Sequence, residues 1–491
     1  MRNGVQLIVY ADRFGGDGIA RVAELLNGPL DGVFTGVHIL PFFTPYDGAD
    51  AGFDPADHTT VDPRLGTWDD VADLARTHDV MADLIVNHVS DQSHEFQDYL
   101  AKGDGSEYAG MFLTRERILP ADAPEREIDA VYRPRPGRPF TTFRLGDGAT
   151  REMWTTFTRH QIDIDVENSQ AWDYLMRILD HFATAGLKQV RLDAVGYAIK
   201  RRGSSCFMIP ETYDFIERLT DEIHRRSMET LVEIHGHYIG QIEIARTVDR
   251  VYDFALPPLI LHTLHTGSAE ALTRWLEFSP RNAITVLDTH DGIGIVDVAS
   301  GHQSPGLLAD EAVDGLVETI HTATNGESRL ATGTAASNLD LYQVNSTYLA
   351  ALGYDENMYL LARMIQFFCP GIPQVYYAGL LAVPNDMELL AQTRVGRNIN
   401  RPFLSDDQLE SALERPVVKR LCRLARLRNT HPAFDGEFSL ALPSNDVIEL
   451  MWLNGEHQAN ASIAVGRREF SLTLSGSPSP ITGWDDLPGS Q

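Results

Sequence analysis

The sequence is poor in cysteine and in basic residues, and it has no long apolar run. Its 491 residues include only three cysteines, Cys206, Cys369 and Cys422. None forms a C-x-x-C pair, so neither a disulfide framework nor a cysteine-rich zinc site is indicated. The 41 Lys and Arg residues stand against 69 Asp and Glu residues, which gives a formal net charge of −28. Like-charge repulsion argues against nucleic acids and anionic membranes as partners.

The longest interior segment without Asp, Glu, Lys, Arg or His spans residues 364–384, and three prolines interrupt it. This composition predicts a helix end, a turn and a buried strand rather than a membrane span. The apolar segment 5–10 near the N-terminus is too short for the core of a signal peptide, and Asp12 follows it at once. We therefore expect a cytoplasmic enzyme.

Eight short apolar segments recur along the chain and alternate with amphipathic segments of helical period. The apolar segments span residues 5–12, 36–43, 80–89, 187–196, 230–238, 250–257, 282–291 and 371–379. Helical spacing is clear at 19–27, 67–78, 171–186, 211–227 and 416–429. This alternation predicts an α/β fold, a (β/α)8 TIM barrel. A doubly wound open sheet is the alternative, but no G-x-G-x-x-G follows the first apolar segment.

Two connections between the predicted strands are too long for ordinary loops, which indicates inserted subdomains after the third and seventh strands. Alternating segments with Gly and Asn turns after residue 433 predict a small C-terminal antiparallel β domain. The expected boundaries are 1–85, 168–292 and 354–433 for the barrel, 86–167 for the first insertion, 293–353 for the second and 434–491 for the C-terminal domain.

Reactive side chains follow the predicted strands where each one ends. They are His88 on the third strand, Arg191 and Asp193 on the fourth, Glu233 and His235 on the fifth, and Asp288, His290 and Asp291 on the seventh. A single acid at a strand end commonly caps a helix or forms a turn. The joint pattern favours one pocket at the carboxyl face of the barrel, where such barrels place their active sites.

Several carboxylates in one pocket suit glycoside chemistry, in which one carboxylate attacks the anomeric carbon and another acid protonates the leaving oxygen. Arg191 lies two residues before Asp193 on the same side of the strand, so we expect its guanidinium to keep Asp193 ionised. A zinc site at Glu233, His235 and His237 is the alternative, but a hydrogen-bonded polar pocket is favoured. The segment DIDVEN (163–168) resembles the start of a calcium loop, but it lacks the Gly and the terminal Glu, so we expect a structural role.

Eight segments carry a resemblance to a known family. They are GVHILPFFTPYDGADAGFDPADH (36–58), IVNHVS (85–90), YRPRPG (132–137), VRLDAVGYA (190–198), LVEIH (231–235), VLDTHDGIG (286–294), AASNLDLYQVNSTY (335–348) and NDMELL (385–390). On these motifs the chain resembles the retaining glycoside enzymes of the α-amylase superfamily, and most closely the sucrose phosphorylases. The resemblance extends from the N-terminus to about residue 433.

The resemblance implies a hexosyltransferase that converts sucrose and phosphate to α-D-glucose 1-phosphate and D-fructose with retention. It implies Asp193 as the nucleophile, Glu233 as the general acid and base, and Asp291 as the stabiliser of the transition state. Further residues would bind substrate: Asp50, Phe53, His88, Arg191, Tyr197, His235, His290, Gln343 and Arg397. The phosphate and acceptor site would contain Arg135, Asp340, Leu341 and Tyr342. No cofactor or metal is expected, and the enzyme would be a monomer or a homodimer.

Other functions stay open at this point. One is a sister phosphorylase that acts on sucrose 6'-phosphate, glucosylglycerol or glucosylglycerate. Another is a sucrose hydrolase or transglucosidase, and a third is an inactive barrel that serves as a binding subunit. Two segments depart from the family pattern near the acceptor side: Asp91 replaces an aromatic residue, and Gly236 with His237 replaces a Ser-Tyr pair.

Overall fold

The computed structural model describes residues 1–488 except 49, 121, 136, 302, 303 and 333–342. The chain divides into two compact units. The first comprises residues 1–38, 235–246 and the chain from 250 onward, and the second comprises 39–234 and 247–249.

The strands follow the predicted segments closely. They are β1 (Gln6–Val9), β2 (Gly36–Ile39), β3 (Phe43–Thr44), β4 (Asp57–Val61), β5 (Asp79–Ile85), β6 (His88–Ser90), β7 (Phe140–Arg144), β8 (Thr150–Trp154), β9 (Gln161–Asp163), β10 (Gln189–Asp193), β11 (Glu229–Val232), β12 (Arg250–Asp253), β13 (Ala283–Thr285), β14 (Ile293–Gly294), β15 (Gln343–Val344), β16 (Ile372–Tyr376), β17 (Glu437–Ser444), β18 (Val447–Asn454), β19 (His457–Ala464) and β20 (Glu469–Leu474).

Eight of these strands form a closed parallel barrel in the order β1, β2, β5, β10, β11, β12, β13, β16 and back to β1. Each of the eight predicted apolar segments contributes one strand, so the TIM-barrel prediction is confirmed. The strands are buried along nearly their whole length, as expected for strands covered on both faces.

The helices are α1 (Gly18–Leu26), α2 (Trp68–Ala75), α3 (His94–Lys102), α4 (Arg115–Ile118), α5 (Glu125–Asp129), α6 (Ser169–Thr184), α7 (Pro210–Arg225), α8 (Tyr238–Ile244), α9 (Leu256–Thr266), α10 (Glu270–Phe278), α11 (Asp310–Ala323), α12 (Glu327–Ala331), α13 (Tyr348–Ala351), α14 (Glu356–Phe368), α15 (Tyr377–Leu380), α16 (Met387–Thr393), α17 (Asp406–Leu413) and α18 (Pro416–Thr430). In α7 the predicted apolar face is buried at Phe215, Ile216, Leu219 and Ile223, and Pro210 occupies the first turn, where no amide donor is needed.

The segment 364–384 forms the end of α14, a turn, strand β16 and the short helix α15, so the prediction of a helix end and a buried strand is confirmed. Within the described ranges, no helix is both long and apolar enough to cross a lipid bilayer.

The C-terminal segment forms the predicted antiparallel sheet, in the order β17, β18, β19, β20. Trp452 on β18 donates its indole N–H to the carbonyl oxygen of Phe368 at the end of α14, at 2.8 Å. The guanidinium of Arg428 on α18 stacks over Phe434, 4.7 Å from the ring centre. The first contact joins the sheet to α14, and the second joins α18 to the turn that precedes β17.

Candidate active site

The second unit contains a charged cluster at the ends of β10 and β11, centred on the guanidinium of Arg191. Its Nη1 lies 2.6 Å from Oδ1 of Asp83 and 2.8 Å from Oδ1 of Asp193, and its Nη2 lies 3.6 Å from Oε1 of Glu233. Arg191 and Asp193 are the third and fifth residues of β10, so strand alternation puts them on one side, as predicted. One cation thus connects three carboxylates.

Burial raises the pKa of Asp193 well above its usual value, and Arg191 opposes this shift without overcoming it. Arg191 thus favours the ionised form of Asp193, as expected, while burial and the neighbouring carboxylates oppose it. Desolvation of the 9% exposed Asp193 outweighs the ion pair, and the nearby carboxylates of Glu233 and Asp83 raise the pKa further.

Glu233 is held by the backbone as well. Its Oε2 accepts a hydrogen bond from the amide of Ala194 at 3.3 Å. Ala194 adopts the left-handed conformation, with φ 54°, directly after Asp193. Non-glycine residues rarely adopt this conformation outside functional loops and turns. The turn therefore orients the amide that follows Asp193 toward Glu233.

His88 is not the end of the third barrel strand, which corrects the prediction. That strand, β5, ends at Ile85, and His88 begins the separate strand β6, which pairs with β9. Nε2 of His88 lies 2.9 Å from the carbonyl oxygen of Phe53, and Gln161 lies 3.1 Å from the same nitrogen. Burial lowers the pKa of His88, which keeps the ring neutral. The Phe53 ring in turn lies against the Arg191 guanidinium, 5.7 Å from its centre.

Tyr197 lies in an aromatic cluster of the second unit. Its ring centre is 5.1 Å from that of Phe157 and 4.8 Å from that of Phe207. Tyr132, the first residue of the YRPRPG segment, stacks on Tyr197 with 6.1 Å between ring centres. The aromatic rings give this part of the unit an apolar wall.

The three arginines of the segment around YRPRPG have different partners. Arg135 pairs with Asp50 at 3.2 Å, so the structure brings these two predicted site residues together. Arg133 donates to the carbonyl oxygens of Thr156, Phe157 and Arg138 and holds the loop's own backbone. Arg138 forms an exposed ion pair with Glu125. Arg135 therefore contacts another predicted site residue.

The first unit contains a second charged cluster, around Asp291. Its Oδ1 lies 2.9 Å from Arg397, 3.6 Å from Arg401 and 3.7 Å from Nε2 of His290. These cations lower the pKa of Asp291 despite its burial. Asn400 fixes the loop by donating to the carbonyl oxygen of Asp291 at 2.8 Å. The neighbouring cations therefore favour the ionised form of Asp291.

His235 and Gln343 lie together in the first unit. Nε2 of His235 is 3.4 Å from the amide nitrogen of Gln343, whose Oε1 accepts from Arg397 at 3.4 Å. The His235 ring stacks on Phe254, with 3.8 Å between ring centres. Asp340, Leu341 and Tyr342, predicted for the acceptor site, lie outside the described residues.

The structure separates the remaining strand-end candidates. Strand β11 ends at Val232, immediately before Glu233, and β13 ends at Thr285, so His235, Asp288, His290 and Asp291 lie in the following loops. Asp288 binds the fully buried Arg363 at 2.7 Å. It therefore neutralises an arginine of α14, which was not apparent from the sequence because Arg363 is 75 positions away.

His237 and the DIDVEN side chains, which the sequence raised as possible metal ligands, contact protein groups. His237 accepts the amide hydrogen of Ile239 at the start of α8, and its Nε2 lies 3.2 Å from the carbonyl oxygen of Pro305. In DIDVEN, Asp163 pairs with Lys200 at 2.8 Å and Asn168 caps α6. Both contacts agree with the structural role expected for that segment.

Asp91, which departs from the family pattern, is buried and pairs with His160 at 2.9 Å. Its backbone amide also donates to the carbonyl oxygen of His160 at 2.8 Å. The residue thus fastens the loop after β6 to the segment that leads into β9.

The sequence interpretation missed three charged neighbours of the predicted site residues: Asp83 and Arg401, described above, and Asp297, whose Oδ2 lies 3.3 Å from Nδ1 of His235. Asp83 had a signal, since it is an acid in the middle of an otherwise apolar strand. Arg401 and Asp297 had none, because their contacts depend on loops whose course the sequence pattern does not predict.

Comparison with known proteins places this geometry in context. Residues 31–249 match the model of the alpha amylase catalytic domain. The chain is 58% identical over 477 residues to a sucrose phosphorylase of Agrobacterium vitis, covering 97% of this chain and 98% of the relative. It is 52% identical to a sucrose phosphorylase of Bifidobacterium adolescentis, covering 100% of this chain and 97% of the relative. The crystal structure of a sucrose 6F-phosphate phosphorylase from Thermoanaerobacter thermosaccharolyticum superimposes with a TM-score of 0.91 at 35% identity, covering 98% of each chain.

Proposed function

This chain belongs to the sucrose phosphorylase family of α-amylase-type enzymes, and on that premise we propose that it catalyses the reversible phosphorolysis of sucrose. The products are α-D-glucose 1-phosphate and D-fructose. The observation that supports this chemistry best is the contact of one guanidinium with both Asp193 and Glu233, at the ends of neighbouring strands.

We assign the first half-reaction to these two carboxylates. A carboxylate oxygen of Asp193 attacks the anomeric carbon of the glucosyl unit, and the bond to the fructosyl oxygen breaks. Glu233, in its acid form, donates its proton to that oxygen, so fructose leaves neutral. A β-glucosyl ester remains on Asp193.

In the second half-reaction a phosphate oxygen attacks the same carbon from the opposite face. Glu233 accepts the proton of the attacking phosphate, and the ester bond to Asp193 breaks. Two inversions give net retention, as an α-linked product requires. Because two neighbouring carboxylates must begin the cycle with one proton between them, the raised pKa of Asp193 sets the acid limit of activity.

The other predicted residues are assigned to binding. Asp291, held ionised by Arg397 and Arg401, stabilises the positive charge that develops on the sugar ring. The glucosyl unit contacts Asp50, Phe53, His88, Arg191, Tyr197, His290 and Arg397, and the acceptor contacts Arg135, His235, Asp340, Leu341, Tyr342 and Gln343. The paired guanidinium of Arg135 has the fork geometry that suits phosphate.

The working form is proposed to be a cytoplasmic monomer or homodimer with the domain boundaries given above. A sister phosphorylase is the main alternative, and the departures at Asp91, Gly236 and His237 motivate its test. A sucrose hydrolase or transglucosidase and an inactive binding subunit are the remaining alternatives.

The test is phosphate-dependent release of glucose 1-phosphate from sucrose, sucrose 6'-phosphate, glucosylglycerol and glucosylglycerate. Sucrose should give the highest kcat/KM. A higher value on another donor would reassign the substrate, and equal donor consumption without phosphate would indicate a hydrolase. Asp193→Ala should lower turnover by orders of magnitude, and an undiminished rate would contradict the assignment of the nucleophile.

A further inference from the structure

Asn400 and Arg401 bind the backbone of the loop that carries Asp291. Nδ2 of Asn400 donates to the carbonyl oxygen of Thr289 at 3.2 Å and to that of Asp291 at 2.8 Å. Nε of Arg401 donates to the carbonyl oxygen of His290, which lies between them in the chain, at 2.7 Å. Two neighbouring side chains thus hold three consecutive carbonyl groups, and all of these residues belong to the first unit.

The burial of Asn400 indicates which of its groups matters. The residue is 2% exposed, and its Oδ1 is buried without a hydrogen-bond partner in the described part of the chain. A buried polar atom without a partner costs free energy, which an apolar residue would avoid. The contribution of Asn400 therefore comes from its NH2 group, whose nitrogen binds the two carbonyl oxygens of the loop.

The segment that supplies these donors is itself fixed. Nη1 of Arg13, which follows β1, donates to the carbonyl oxygen of Arg401 at 2.7 Å. The amide of Leu404 donates to the carbonyl oxygen of Arg13 at 3.1 Å. The hydroxyl of Tyr377 donates to the carbonyl oxygen of Pro402 at 2.6 Å. The donors therefore come from a segment that is held in place, and the loop takes its position from them.

We propose that Asn400 is a positioning residue, which sets the place of the Asp291 carboxylate through the backbone of residues 289–291. The proposal deepens the proposed function and rests on it, since Asp291 is assigned there to the positive charge on the sugar ring. A charged group stabilises a transition state best when it is already in position before the reaction. A displacement of about 1 Å can lower the rate by about a hundredfold. Asn400 thus acts on the transition state, whereas Arg397 and Arg401 act on the charge of Asp291 itself.

Asn400→Leu removes both hydrogen bonds to the loop and introduces no charge. Isofagomine, an iminosugar whose ammonium takes the place of the anomeric carbon, mimics the charged sugar ring, and glucose is its neutral counterpart. By isothermal titration calorimetry, the Kd for isofagomine should rise at least about tenfold, while the Kd for glucose stays within about threefold of wild type. The value of kcat/KM for α-D-glucosyl fluoride should fall by about ten- to a hundredfold.

Asn429→Leu is the matched control. Nδ2 of Asn429 also donates to two neighbouring carbonyl oxygens, those of Gly32 at 3.0 Å and Val33 at 2.9 Å, in the turn before β2. This variant should leave both Kd values unchanged. If Asn400→Leu does not fold, Asn400→Ser, in which water can replace part of the NH2 group, should show the same selective loss of isofagomine affinity.

A double-mutant cycle tests whether Asn400 acts through Asp291. In an Asp291→Asn background, Asn400→Leu should cause no further loss of isofagomine affinity. The proposal is overturned if the Kd for isofagomine is unchanged in Asn400→Leu, or if glucose loses affinity equally. It is also overturned if the loss persists in the Asp291→Asn background, or if Asn429→Leu has the same effect.

These binding measurements need neither sucrose nor phosphate. If the donor panel reassigned the substrate, or if the enzyme proved to be a hydrolase, the proposed function would fail. The glucosyl unit and its charged transition state would be the same, so the cycle would still decide the role of Asn400.

Discussion

Replacing Asp83 by asparagine should move the acid limb of the pH–rate profile to lower pH. Asp83 and Asp193 both contact Nη1 of Arg191, at 2.6 and 2.8 Å, so their two oxygens lie no more than about 5.4 Å apart. The Asp83 carboxylate is one of the causes that raise the pKa of Asp193. Its removal should let more of the Arg191 charge act on Asp193.

The expected size follows from Coulomb's law. At a separation of about 5 Å and an effective dielectric constant of about 20, two unit charges interact by about 3 kcal/mol. That energy corresponds to about two pH units. The asparagine amide retains a dipole near Arg191, so we expect the limb to move by about one to two units.

The assay is kcat/KM for α-D-glucosyl fluoride as a function of pH, because fluoride leaves without a general acid and the limb then reports on the nucleophile. Asp288→Asn is the matched control. Like Asp83, Asp288 is a buried carboxylate paired with a buried arginine, here Arg363, so its replacement controls for the loss of such a pair. The reasoning is refuted if Asp83→Asn leaves the limb in place or moves it upward, or if the control shifts it equally.

Three further substitutions test other parts of the structure. Asp193→Asn should raise the melting temperature at pH 7, because burial raises the folded pKa of Asp193 and its charge opposes folding above that pKa. The gain in melting temperature should vanish as the pH falls to about 4. A gain that does not depend on pH would contradict this origin. Arg135→Ala should slow the transfer of the glucosyl unit to phosphate by roughly tenfold or more relative to glucosyl transfer from α-D-glucosyl fluoride to the enzyme. The exposed Arg138→Ala is the control. An equal loss in both half-reactions would indicate misfolding instead. Lys200→Met leaves the buried Asp163 without its cation and should lower the free energy of unfolding in denaturant by about 3–5 kcal/mol. The exposed Lys102→Met should lower it much less. Equal losses would show that burial does not strengthen the effect of losing the cation.

Strand count and strand position were predictable because barrel strands are short, apolar and separated by amphipathic helices. The C-terminal sheet was predictable from its alternation. The residues at which strands end were harder to predict. His88 and Asp291 continue apolar segments in the sequence, yet strands β5 and β13 end at Ile85 and Thr285. Hydrogen bonding between strands, which sequence patterns do not contain, decides where a strand ends.

The candidate site was predicted unevenly, for a physical reason. Motif resemblance and strand alternation placed Arg191 and Asp193 side by side. The direction in which the pKa of Asp193 shifts could not be predicted from residue spacing, because it depends on burial and on Asp83. Asp288 and Arg133 resemble site residues in sequence, but their partners are Arg363 and backbone carbonyl oxygens of the loop. Only the neighbours in three dimensions distinguish a catalytic carboxylate from one that neutralises a buried arginine.

The most direct test of the account is to trap the glucosyl-enzyme. In Glu233→Gln, α-D-glucosyl fluoride can still react with Asp193, but the second step lacks its base, so the intermediate should accumulate. Intact-protein mass spectrometry should then show one added glucosyl residue, and peptide mapping should place it on Asp193. The absence of an adduct during turnover of the fluoride, or an adduct on another carboxylate such as Asp291, would contradict the double-displacement assignment.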